Sequence, residues 1–164
     1  MMKKLFLLGC ALLFAAGSRA QTGYVPAPEN LAARQAFADG RFGIFLHWGL
    51  YAMLGQGEWT MTNLDLNYRE YEKLAGGFYP AKFDARAWVT AFREAGARYI
   101  CFTTRHHDGF SMFHTGQSPY NIVDATPFAR DVVKELAEEC HRQGLRVHFY
   151  LSLIHISEPT RLRR

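Results

Sequence analysis

Cysteine is scarce in this 164-residue sequence, which has three: Cys10, Cys101 and Cys140. They show no framework spacing, so a disulfide-stapled scaffold is set aside. Cys101 lies in an apolar run and Cys140 in a helical one, and both read as small buried hydrophobes. No apolar run reaches the roughly 20 residues needed to span a bilayer. Internal repeats and low-complexity stretches are also missing. The charge is 19 basic minus 15 acidic residues, or +4. Setting aside Lys3, Lys4, Arg19, Arg161, Arg163 and Arg164 leaves 13 basic residues, and setting aside Glu158 leaves 14 acidic ones, a balance near −1. The basic excess therefore sits at the two ends and is no footprint for nucleic acid.

Both ends differ in character from the middle. Residues 1–20 read as a secretory signal: Lys3 and Lys4, an apolar run from Leu5 to Ala16, then Ser18-Arg19-Ala20 before Gln21. "LLGC" offers an alternative, lipid attachment at Cys10, but the apolar run continues past that cysteine, which favours cleavage and export to the periplasm or medium. At the other end, "LSLIHISEPTRLRR" drops the patterning of everything before it. It resembles the in-frame translation of a transposase-type sequencing adapter. Residues 151–164 are therefore expected to be a non-native tail, leaving 21–150 as the folding unit.

Within that unit, strand and helix patterns alternate. "RFGIFLHW" is apolar on both faces, as a strand covered on both sides should be. "FDARAWVTAFREAG" reads as a helix capped by Asp84 and stopped by Gly96, with Trp88, Ala91, Phe92 and Ala95 turned inward. "ARYICFTT" is a second strand. "TPFARDVVKELAEECHRQG" follows as a helix with Thr126 as cap, Pro127 at its first position, and Val132, Val133, Leu136 and Cys140 as its inward stripe. After Gly144, "LRVHFY" is a third strand. "PENLAARQAFADG", before the first strand, reads as a short covering helix. Such alternation implies parallel strands with crossover helices, an α/β layer or barrel.

The polar residues then fall into a pattern. His47 ends the first strand, His106 and His107 the second, and Tyr150 the third. Parallel α/β folds assemble their sites at these carboxyl ends. A long excursion over 49–83, carrying "GQGEWT", leaves from the same edge. Three chemistries fit the histidines: a metal site, a general acid/base site, or a rim of hydrogen-bonding groups for a polar ligand. Adjacent strand residues point to opposite faces, so His106 and His107 serve one site only if the backbone turns at the strand end. Asp108, before Gly109, reads as a turn residue bonding its own backbone. His114, His141 and His148 read as surface or packing residues.

"RFGIFLHWGLYA", "GEW", "FDARAWVTAFREAGARYICFTTRHHDGF", "RDVVKEL" and "GLRVHFY" together resemble the amino-terminal third of the catalytic domain of α-L-fucosidases, glycoside hydrolase family 29. The resemblance covers about residues 30–150. It implies the first three βα units of a partial (β/α)8 TIM-like barrel, about 250 residues when complete. It further implies retaining hydrolysis of terminal α-L-fucose, no cofactor and no metal, and a fucosylated glycan as the partner. His47, Glu58, Trp59, His106, His107 and Tyr150 would line the sugar pocket. Retaining hydrolysis needs two carboxylates about 5 Å apart. The family supplies this aspartate and glutamate from later strands, so no catalytic residue is expected in this chain, and the fragment is expected to be inactive. Its open sheet edges and apolar lumen favour aggregation. Two rival readings stand beside this one. One is a metal-dependent barrel hydrolase using His47, His106 and His107, without the His-x-His or carboxylate spacing that would support it. The other is a non-catalytic glycan-binding relative.

Overall fold

The computed structural model describes residues 23–152. Residues 1–20, read above as a secretory signal, and the expected tail past Ser152 lie outside the described residues. The chain divides into two units, residues 1–39 and 40–164. The described part of the first holds helix α1, Pro28–Asp39. Proline at its first position needs no hydrogen-bond donor there, and Gln35 closes the last turn onto Asp39 Oδ1 at 2.9 Å. The helix carries no buried residue.

The second unit is α/β. Strands β1 (Gly43–Leu46), β2 (Tyr99–Arg105) and β3 (Arg146–Leu151) form one parallel sheet in the order β1-β2-β3. Helix α4 (Ala85–Glu94) precedes β2 and helix α5 (Val132–Gln143) precedes β3. The excursion over 49–83 is built of short turns: 3-10 segments at Leu50–Leu54 and Glu72–Gly77, and four-residue helices α2 (Thr60–Asn63) and α3 (Tyr68–Tyr71). The third strand runs through Leu151, one residue beyond the Tyr150 boundary, and Leu151 pairs with Arg105.

One sheet face makes the core. Ile100 and Phe102 of β2 share a cluster with Val89 of α4, Val132, Leu136 and Cys140 of α5, and Phe110, Met112 and Ile122 of the β2–α5 connection. Burial of Cys140, reinforced by the neighbouring Glu139, pushes its thiol up to about 11, so it behaves as an apolar filler. Cys101 is half-buried, and neither cysteine is in a disulfide. The first strand was expected to be covered on both faces. Instead Phe45 is 53% exposed, because α4 and α5 pack against the Ile100–Phe102 face, and Phe45 pairs in register with Cys101 on the opposite one. Phe149 and Leu151, on the β3 edge, are also exposed.

Two local expectations are corrected. Helix α4 is capped by Asp84, whose Oδ1 accepts from Ala87 N at 2.9 Å. Its buried residues are Ala85 and Val89, with Trp88 and Phe92 half-buried, whereas Ala91 and Ala95 face solvent. Helix α5 does not start at Thr126-Pro127. Ala129 has φ 48°, in the left-handed region, which breaks any helix running through it. Thr126 instead donates to the Ile122 carbonyl. The cap is Asp131, whose Oδ1 accepts from Lys134 N at 2.9 Å and whose Oδ2 accepts from His114 N at 3.0 Å. Gly144 ends the helix at φ 77°.

Replacing Asp131 by alanine is expected to lower stability by about 1–2 kcal/mol through loss of that cap. Ala129→Gly is expected to raise it by up to about 1 kcal/mol by relieving the left-handed alanine. Urea unfolding followed by far-ultraviolet circular dichroism reads both changes.

Candidate functional site

The six residues singled out in the sequence converge at the carboxyl ends of the strands. His47 directly follows β1, His106 and His107 directly follow β2, and Tyr150 lies near the end of β3. The rings of His47 and His106 are 5.4 Å apart, His47 and Tyr150 6.2 Å, and His106 and Tyr150 5.7 Å with near-parallel planes. Trp59, from the excursion, stacks on His107 at 4.0 Å and 19° and meets His106 edge-on at 6.1 Å. Glu58 precedes Trp59 and is close enough for its charge to act on both His106 and Tyr51. Among the described residues, no group of three His, Cys, Asp or Glu side chains is arranged to hold a metal ion. The imidazoles meet other rings by face and edge.

Local backbone explains how both adjacent histidines reach one side. The β2–β3 ladder shifts register between Thr103 and Arg105, and β2 ends at Arg105. Strand alternation therefore no longer binds residues 106 and 107. A turn closes behind them, with Gly109 N donating to the His106 carbonyl at 3.1 Å and Gly109 at φ 78°. The two rings end 4.5 Å apart, both against Trp59.

Asp108 has a different task. It is buried, and its Oδ1 accepts from Phe110 N at 3.1 Å, as the turn reading required. Its Oδ2 accepts from the Tyr71 phenol at 2.9 Å. That bond ties α3, and with it the excursion, to the turn bearing the histidines. Burial pushes the Asp108 carboxyl above its ordinary range, partly offset by these two donors and by Arg105. A cavity of about 220 Å³ borders Asp108, lined by Tyr71, Tyr120, Arg105 and Glu72 among others; none of the six candidate residues lines it.

Burial lowers the His106 pKa below its usual value; the neighbouring His47 adds to the effect and Glu58 opposes it. His106 is therefore kept as neutral imidazole, one donor and one acceptor. Sequence reading missed Tyr51, which is buried and meets His106 edge-on at 5.5 Å. Burial pushes its phenol up, so it stays a protonated donor. It missed Tyr71 as well. The signal for Tyr51 was its place at the start of the excursion, four residues after His47. Trp59 stays 44% exposed, offering an apolar face beside imidazoles, a phenol and one carboxylate. A ligand that is polar at its edges and apolar on one side fits that set.

The family model described as alpha-L-fucosidase matches residues 11–163. The human plasma alpha-L-fucosidase is 33% identical over 159 residues, covering 84% of this chain and 34% of that protein. A Dictyostelium discoideum alpha-L-fucosidase is 30% identical, covering 75% of this chain and 32% of that protein. Among solved structures, a family 29 α-L-fucosidase from Bacteroides thetaiotaomicron, a trapped covalent intermediate, superposes with a TM-score of 0.75 at 35% identity. It covers 85% of this chain and 33% of its own. The Lactobacillus casei enzyme with α-L-fucose product superposes at 0.69 and 39% identity, covering 72% of this chain and 39% of its own. The chain thus spans about a third of the length of the relatives it matches. By its family-model match, its sequence identity and its fold, this chain belongs to the α-L-fucosidase family.

Proposed function

We propose that this chain forms the sugar-recognising wall of an exported α-L-fucosidase that releases terminal α-L-fucose from glycans. The three strands and their helices are the first three βα units of a (β/α)8 barrel. His47, Glu58, Trp59, His106, His107 and Tyr150 border the fucose. One observation carries the reading: rings delivered from three successive strand ends and one loop meet at centroid separations of 4.0–6.2 Å.

The chemistry follows from that arrangement. Fucose presents hydroxyls in several directions, which imidazoles, a carboxylate and a phenol grip as donors and acceptors. Its sixth carbon is a methyl, suited to the half-exposed Trp59 face. A pocket that bonds each hydroxyl rejects sugars lacking one, because its own polar groups would be left unpaired. Among the described residues, Asp108 and Glu58 do not form a hydrolytic pair. Asp108 has both oxygens engaged, by Phe110 N and Tyr71, leaving Glu58 alone where retaining hydrolysis needs two flanking groups. The chain's contribution is recognition, and the covalent step belongs to carboxylates outside this set.

Saturation-transfer NMR with L-fucose tests the reading. The methyl of L-fucose is expected to show the strongest enhancement, D-fucose to show little, and Trp59→Ala to remove the L-fucose signal. Equal signals from both enantiomers would overturn it. An aryl α-L-fucoside is expected to show no turnover above buffer. Acid should weaken binding. The His106 pKa is lowered from 6.5 in the folded chain, so protonation is opposed there and the neutral ring is favoured. Fucose binding and His106's share of stability are therefore both present above pH 6.5 and lost as pH falls through the lowered value. Ligand-observed titration between pH 7.5 and 4.5 checks the sign.

A further inference from the structure

We propose that Thr103 is a positioning residue of this site: its one hydroxyl oxygen bonds both peptide groups flanking His47 and the phenol of Tyr51, and so sets where the His47 and His106 rings stand. The inference rests on the fucose-binding reading for its functional consequence, though not for its geometry.

Backbone pairing between β1 and β2 ends at Leu46 and Phe102. Beyond that pair, residues 47 and 48 have left the strand while β2 continues to Arg105. Peptide groups at such a part-buried edge need partners from elsewhere. Thr103 supplies them. Trp48 N donates to Thr103 Oγ1 at 3.1 Å, and the Thr103 hydroxyl in turn points its proton at the Leu46 carbonyl at 3.2 Å and the Trp48 carbonyl at 3.4 Å. His47 is thus held between two peptide groups bonded to the same atom. The Tyr51 hydroxyl lies 3.0 Å from that atom, and with the single Thr103 proton turned toward these carbonyls, Tyr51 donates. A hydroxyl has one proton and two lone pairs, and all three are used.

The consequences reach the site through two routes. The first is the backbone at His47. The second is the Tyr51 ring, which that bond holds edge-on against His106 at 5.5 Å. In register, Thr103 also lies beside Tyr150, so one residue stands under three of the six candidates. Thr103 is 1% exposed, which makes its role indirect. The β-branched side chain has few rotamers, so the hydroxyl is fixed before anything binds. Valine keeps that shape and removes the hydroxyl, leaving the Trp48 N–H and the Tyr51 phenol unpaired. Serine keeps the hydroxyl.

The test compares Thr103→Val and Thr103→Ser with the parent chain by two readouts below the unfolding temperature of all three. One is the L-fucose affinity from saturation-transfer NMR. The other is the rate of histidine modification by diethylpyrocarbonate, resolved by mass spectrometry at low protein concentration. The expected result for Thr103→Val is a loss of affinity of about tenfold or more. His47 and His106 are expected to react faster, with His114 and His148 unchanged, and Thr103→Ser is expected to restore both measures. Faster reaction at every histidine, or folding only when the hydroxyl is present, would reduce Thr103 to a structural residue and overturn the proposal. Unchanged reactivity of His47 and His106 would overturn it too. If the parent chain fails to bind fucose while Thr103→Val still releases those two histidines, the fucose reading fails and the positioning role stands.

Discussion

A β-strand sends successive side chains to opposite faces, so two adjacent histidines serve one site only where that alternation stops. Everything at this site depends on where β2 stops. The register shift at Thr103 and Arg105 and the turn closed by Gly109 free residues 106 and 107 from the sheet. Both imidazoles then face Trp59. One residue earlier the pair would be split between core and site. The sheet supplies rigidity up to Thr103 and the turn supplies direction after it.

The turn is held from behind by chemistry of a different kind. His106 and His107 are followed by Asp108, which spends both carboxylate oxygens on Phe110 N and Tyr71. That division commits the acidic group to the fold. It also anchors the excursion: Tyr71 belongs to the segment that carries Glu58 and Trp59, so one buried hydrogen bond couples the loop's indole to the strand's imidazoles. Thr103 does the equivalent for His47, substituting a side-chain oxygen for the backbone ladder where β1 has already ended. Loops bearing functional groups are usually the mobile parts of a fold. Here each is tied to β2.

Electrostatics follow from the same packing. His106 sits among His47, Tyr51, Trp59 and Tyr150, and burial with a neighbouring imidazole holds it neutral. A neutral ring both donates and accepts, whereas an imidazolium only donates. That suits a ligand made of hydroxyls, whose every oxygen also does both. Trp59 is an apolar part of the site, kept half-exposed while one face stacks on His107, and Phe45 is another, against the His47 and Tyr150 rings.

The sequence by itself determined the alternation of strand and helix, the Asp84 cap, the Gly144 stop, and the placement of His47, His106, His107 and Tyr150 at strand ends. Those features are local: periodicity, capping chemistry and position along the chain are written residue by residue. It misplaced the start of α5, because a left-handed Ala129 carries no compositional signal, and it turned Ala91 and Ala95 inward because helical spacing marks a stripe without saying what covers it. Glu58 and Trp59 were legible only through family resemblance, since nothing in a loop sequence states where it folds back. What only the tertiary structure decided was which distant groups meet. Tyr71 reaches Asp108 across 37 residues, and Tyr51 reaches Thr103 across 52. Pairings at such separations are set by the packing of the whole sheet, for which a single strand's pattern holds no record.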